Sequence, residues 1–185
     1  MGKRGGRKGP MPDSANLPGL PGDAPHVSVL LAEVLQHLAP RDGGDYIDAT
    51  FGAGGYSRAI LEAADCRVLG LDRDLTAVRA AAPLCQQYVN RLTVVEACFG
   101  DMEEVARVYL STDAQPGRPS VFTAPDGIVL DIGVSSMQLD QAERGFSFQH
   151  DGPLDMRMSQ TGSLGGRSAA DIVNTADEKL ISDIL

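Results

Sequence analysis

The chain has 185 residues, 43% hydrophobic and 22% charged, enough for one domain with a sizeable core. No apolar run approaches the roughly 18 residues of a membrane span, and the basic start leads into Pro, Asp, Ser and Gly, which does not read as a secretory signal. Residues 1–10 hold four basic groups and no acid, so the rest carries 12 Lys and Arg against 25 Asp and Glu, a charge of −13 that argues against a generic nucleic-acid binder.

Residues 1–25 are rich in Gly, Pro and small polar residues without hydrophobic periodicity, and read as a disordered basic leader. Residues 26–38 follow, with apolar positions 27, 30, 31, 34, 35 and 38 at helical spacing. They predict an amphipathic helix over the core, ended by Pro40 and Gly43-Gly44. Next comes Asp45-Tyr46-Ile47-Asp48-Ala49-Thr50-Phe51-Gly52-Ala53-Gly54-Gly55: a short apolar strand, three glycines within four residues, and a helix over 57–63. A glycine turn between strand and helix lets backbone N–H groups approach a ligand with no side chain in the way. A second strand over 67–71 ends in Asp72, placed to accept hydrogen bonds from the two hydroxyls of a ribose. Together these features point to a nucleoside-containing cofactor without saying which.

Asp74 is the expected N-cap of the next helix, which Pro83 kinks or cuts short. A third strand is expected over 91–97 with Phe99-Gly100-Asp101 after it, a helix over 102–110, a polar loop over 111–119, and a fourth strand over 126–131. Strands alternating with helices indicate an open parallel α/β sheet, whose ligands sit beyond the C-terminal strand ends. From Gly133 the pattern becomes loop-like, with polar groups and aromatics expected at the surface. Ser168 and Thr175 each begin an N-capping signature, the second opening a helix that runs to Leu185. Cys66, Cys85 and Cys98 are few and far apart, so neither disulfide nor metal site is expected, and reduced thiols in a cytoplasmic protein are.

Four motifs occur in order: Asp48-x-Thr50-x-Gly52-x-Gly54-Gly55 with Asp72; Leu130-Asp131-Ile132-Gly133-Val134-Ser135-Ser136; Glu143-Arg144-Gly145-Phe146-Ser147-Phe148; and Asp151-Gly152-Pro153-Leu154-Asp155-Met156-Arg157-Met158. With them the chain, from His26 to Leu185, closely resembles the bacterial 16S ribosomal RNA methyltransferases that methylate N4 of a cytidine in the decoding centre; His26-x-x-Val29-Leu30-Leu31-x-Glu33 matches that family's opening. The resemblance implies S-adenosylmethionine as methyl donor on a Rossmann-like sheet, and 16S rRNA in the small ribosomal subunit as partner. Carried over by position, Gly54, Gly55 and Tyr56 line the methionine end, Asp72 holds the ribose, and Phe99 packs on the adenine. Asp131 and Gln138 close the pocket near donor and target, with Asp131 the catalytic group. Alone, Phe99 would read as an ordinary core aromatic. Many relatives have His where Tyr56 stands. The Asp-Pro-Pro-aromatic end of many amino methyltransferases is here Asp131-Ile-Gly-Val, so Phe146 or Phe148 is expected to supply the stacking ring.

The expected organisation is therefore the leader (1–25), the first four strands of a methyltransferase domain (26–140), and the start of an inserted helical substrate-recognition region (141–185). The family's later strands are absent, which leaves strand four with an open edge and predicts low stability and little activity for the chain alone. Two other readings stand beside this one. A nicotinamide-dependent oxidoreductase fits the turn and Asp72, but Ser57 occupies the place of its last glycine. A remnant that binds donor or ribosome without catalysis is the other.

Overall fold

The computed structural model describes residues 28–110, 124–159 and 166–184. The leader 1–25, His26, the loop 111–119 and Leu185 lie outside the described residues.

Four strands form one parallel sheet: β1 (Asp45–Asp48), β2 (Arg67–Asp72), β3 (Leu92–Glu96) and β4 (Gly127–Val129), in the order β3-β2-β1-β4. The chain steps outward from β1 to β3, then crosses back to place β4 on the other side of β1. The strand order thus reverses between β1 and β4, where open α/β sheets open their ligand crevice. This is the open parallel α/β sheet expected from the strand–helix alternation, and the Rossmann-like one that the resemblance implies.

The sheet is packed on both faces, and the alternation along β2 shows how. Val68 joins Tyr46, Phe51, Ile60 and Leu92 on one face, beneath α1 (Leu31–Leu38), α2 (Gly55–Ala63) and α4 (Ala82–Gln87). Leu69 and Leu71 join Ile47, Ala49 and Ala106 on the other, against α5 (Met102–Tyr109). Gly70 has a packing reason: a Cβ there would stand 2.6 Å from the Phe51 ring. No described helix is long and apolar enough to cross a membrane.

Several elements depart from the sequence pattern. The first helix begins at Leu31, not at 26, because Leu30 turns left-handed at φ 52° and leaves Val29 and itself exposed. Tertiary contact explains the diversion: the Tyr56 hydroxyl donates to the Val29 carbonyl at 2.6 Å, drawing the segment across the glycine turn. Pro83 does cut a helix short. The segment breaks at Ala81 into α3 (Leu75–Ala80), capped by Asp74, and α4, whose first turn holds Pro83 where no N–H is needed. Strand β4 has three residues where six were expected, since β1 gives way to the glycine turn after Asp48; the Ala49 N–H to Val129 carbonyl bond closes the ladder. The outer edge of β4 pairs with no described strand, and Ile128, Leu130 and Ile132 are exposed there.

After β4, α6 (Ser136–Asp140) and a 3-10 turn (Ala142–Arg144) precede irregular chain. Phe148 is fully exposed as expected, but Phe146 is 9% exposed and belongs to the interior. The Ser168 capping box opens α7 (Ala169–Thr175) as expected. Thr175 does not cap the last helix. It ends α7, its hydroxyl donating to the Asp171 carbonyl, and Asp177 instead accepts from the Leu180 N–H ahead of α8 (Glu178–Ile184).

Candidate functional site

The ends of β1, β2 and β4 converge through hydrogen bonds. Beyond β1 the backbone reverses with Gly52 at φ 54° and Gly54 at φ 78°, conformations that cost other residues about 1–2 kcal/mol each. At Gly54 a Cβ would also stand 2.7 Å from the Phe51 ring and 2.9 Å from Leu84, and at Gly55 it would overlap the Ser28 hydroxyl. The turn is therefore closed to side chains by geometry, and Gly55 opens α2 directly from it.

Asp72 is anchored from two sides. Its Oδ2 accepts from the Gly52 N–H at 2.7 Å and its Oδ1 from the Asp74 N–H at 2.8 Å. A carboxylate has about four acceptor positions, so with these N–H groups bound it retains capacity for a ligand hydroxyl. Burial pushes the Asp72 carboxyl above its ordinary range against the Asp74, Gly52 and Arg73 N–H groups, with the charge of Asp74 adding to the rise.

Asp131 follows β4 and is exposed. Its backbone N–H donates to Thr50 Oγ1 at 2.7 Å, which fixes the end of β4 onto the glycine turn. The Tyr56 hydroxyl lies 3.4 Å from Asp131 Oδ2 while it donates to Val29. Burial, then the nearby Asp131 charge, raises the Tyr56 pKa, so the phenol stays neutral and serves as a donor.

Gln138 and Phe99 stand differently. Gln138 is 6% exposed and completes the α6 capping box, its Oε1 accepting from the Ser135 N–H at 2.9 Å. Its Nε2 faces Asp74 Oδ2 at 3.5 Å, beside the β2 end. Phe99 lies in a 3-10 turn beyond β3 with its residue 42% exposed, so it is not a core aromatic. Hydrogen bonding thus links the glycine turn to Asp72, Tyr56 to Asp131, and Gln138 to the neighbour of Asp72.

Sequence reasoning assigned no part to three residues here. Asp48 is fully buried beneath the turn, where Oδ2 accepts from the Ser57 hydroxyl at 2.7 Å and Oδ1 faces the Thr50 N–H at 3.4 Å. Burial pushes its carboxyl up to about 6, against the Ser57 hydroxyl and the Thr50 and Ser57 N–H groups that favour the charge; Asp72 adds to the rise. An acid at a strand's last position before a glycine turn was the available signal. Thr50 ties β1 to β4, which no spacing rule anticipates. Arg144, 70 residues from its partner Asp74, is the third. Among the described residues, no cluster of three His, Cys, Asp or Glu groups could hold a metal.

The sheet and these strand ends define an open parallel α/β domain whose β2 acid and β4 acid are both hydrogen-bonded to the glycine turn at the strand-order reversal. A family model described as the MraW methylase family matches residues 23–185, and the chain belongs to that family. Among curated relatives, "Ribosomal RNA small subunit methyltransferase H" of Xanthobacter autotrophicus is 55% identical over 164 residues, covering 89% of this chain and 43% of that protein. Proteins of the same name from Parvibaculum lavamentivorans and Rhodospirillum rubrum are 55% and 53% identical, covering 88% and 87% of this chain and 43% and 45% of theirs. The chain spans less than half the length of these relatives.

Proposed function

We propose that this chain forms the donor-binding part of an S-adenosylmethionine-dependent methyltransferase acting on N4 of a cytidine in 16S rRNA of the small ribosomal subunit. The observation that carries the reading is the convergence of the glycine turn, Asp72 and Asp131 at the β1/β4 reversal in a chain of this family. The residues fit such a donor: the glycine turn presents backbone at the end of β1, and Asp72 keeps acceptor capacity for ribose hydroxyls. In this assignment Gly54, Gly55 and Tyr56 line the methionine end and Phe99 offers an open ring to the adenine. Gln138 closes the wall on the Asp74 side.

When bound, the donor supplies an electrophilic methyl on its sulfonium. A cytosine amine is a poor nucleophile because its lone pair is delocalised into the ring. The Asp131 carboxylate accepts a hydrogen bond from that amine and localises the lone pair on nitrogen, and Thr50 and Tyr56 hold Asp131 in place. Much of the acceleration comes from holding the reactants in line. With Phe146 buried, Phe148 is the ring of the two that is free to stack on a base taken out of its helix. Residues 141–185 belong to the substrate-recognition region, and the protein works in the cytoplasm.

Calorimetric titration with S-adenosylhomocysteine and with NAD tests the reading. S-adenosylhomocysteine, the demethylated donor, binds and Asp72→Asn weakens it by about 10- to 100-fold, as expected for losing hydrogen bonds to a charged group. Binding of NAD in its place would overturn the assignment. A second reading, a module that binds the donor but transfers nothing alone, is favoured by the exposure of Asp131, since a carboxylate in water localises a lone pair weakly.

A further inference from the structure

The segment after β4 is fastened to the turn that carries the ribose acid. Arg144 Nη1 stands 2.8 Å from Asp74 Oδ2, and the two side chains are only 4% and 10% exposed. Arg144 Nη2 donates to the Met158 carbonyl at 2.9 Å, while its own carbonyl accepts from the Met156 N–H. Ser159 closes the same segment onto the turn by donating to the Arg73 carbonyl at 2.7 Å. Asp74, held in this way, caps α3 through Oδ1 and gives its N–H to Asp72 Oδ1. Burial alone would raise the Asp74 carboxyl, but the Arg144 hydrogen bond, the Thr76 N–H and the Arg144 charge outweigh it and hold the carboxyl below its ordinary range.

Each residue of the turn Asp72-Arg73-Asp74 is therefore fixed from outside the strand. We propose that Arg144 is a positioning residue for the ribose: through Asp74 it sets the orientation of the Asp72 carboxylate, so that the segment holding Phe148 and the cofactor acid are seated together. Ligand affinity then depends on a guanidinium that never touches the ligand. The inference rests on the ribose reading of Asp72 given above.

The test separates positioning from mere support. The full chain, wild type and Arg144→Met, is titrated with S-adenosylhomocysteine and with its 2′,3′-dideoxy analogue. Because removing one partner leaves a buried charge, a second variant, Arg144→Met with Asp74→Asn, neutralises the pair while Asn retains the helix cap. In both variants affinity for S-adenosylhomocysteine falls by roughly tenfold, a usual size for coupling between separate sites. Affinity for the dideoxy analogue stays as in wild type, since it offers Asp72 nothing to hold. Equal weakening of both ligands, or of neither, overturns the inference and leaves the ribose reading intact. A wild type that does not discriminate between the ligands overturns the ribose reading and the inference with it.

Discussion

Asp48 offers a stability change whose sign and size follow from its surroundings. Its carboxyl is wholly buried under the glycine turn and is pushed from 3.8 up to about 6, because lost hydration outweighs the three donors that face it. A carboxyl with a raised pKa binds its proton more tightly folded than unfolded. Its stabilising share is therefore complete below pH 3.8 and is lost as the pH rises through about 6. At about 1.4 kcal/mol per pH unit, the whole loss is about 3 kcal/mol, of which about 2 kcal/mol falls between pH 4 and 7. Other carboxyls titrate in the same range, Asp74 and Asp155 in the opposite sense, so the contribution is isolated by comparison with Asp48→Asn, which carries no titrating group there. Urea unfolding followed by circular dichroism should show the wild type losing about 2 kcal/mol relative to Asp48→Asn from pH 4 to pH 7. A difference independent of pH, or a wild type that gains on the variant as pH rises, would refute the reasoning. The second outcome would mean that the Ser57 and Thr50 donors win over burial.

Three further outcomes follow from packing. Arg144→Met alone should lower stability by about 3–5 kcal/mol by stranding the buried Asp74 charge, and adding Asp74→Asn should recover most of the loss in the same urea titration. Phe146→Ala should cost about 3 kcal/mol as a core truncation, whereas Phe148→Ala should stay within about 0.5 kcal/mol, a contrast read from the two unfolding midpoints. Gly54→Ala combines a left-handed backbone with overlap on Phe51, so thermal unfolding should report a loss of at least about 1 kcal/mol; an unchanged midpoint would show that the turn relaxes.

Much of the sheet was legible because its signals are local. A buried strand, a glycine turn and a helix announce the first unit, and Asp74 and Pro83 mark one helix's start and another's first turn through backbone chemistry. What escaped depends on distant partners. The first helix begins only at Leu31 because the Tyr56 hydroxyl holds Val29. Strand β4 shortens because its partner β1 turns away. The interior place of Phe146 follows from a segment fastened to Asp74 by Arg144, a pairing 70 positions apart in a loop with no periodicity to read. For the site, residue types at strand ends suggested Asp72 and the glycines, while the roles of Gln138 as a cap and of Thr50 as a tie between β1 and β4 rest on three-dimensional contacts.

A crystal structure of the chain with S-adenosylhomocysteine would test the central claim most directly. The account predicts both ribose hydroxyls on the Asp72 carboxylate, the amino-acid tail over Gly54 and Gly55, and the adenine against Phe99. A ligand seated elsewhere, or a ribose that leaves Asp72 without a ligand contact, would contradict it.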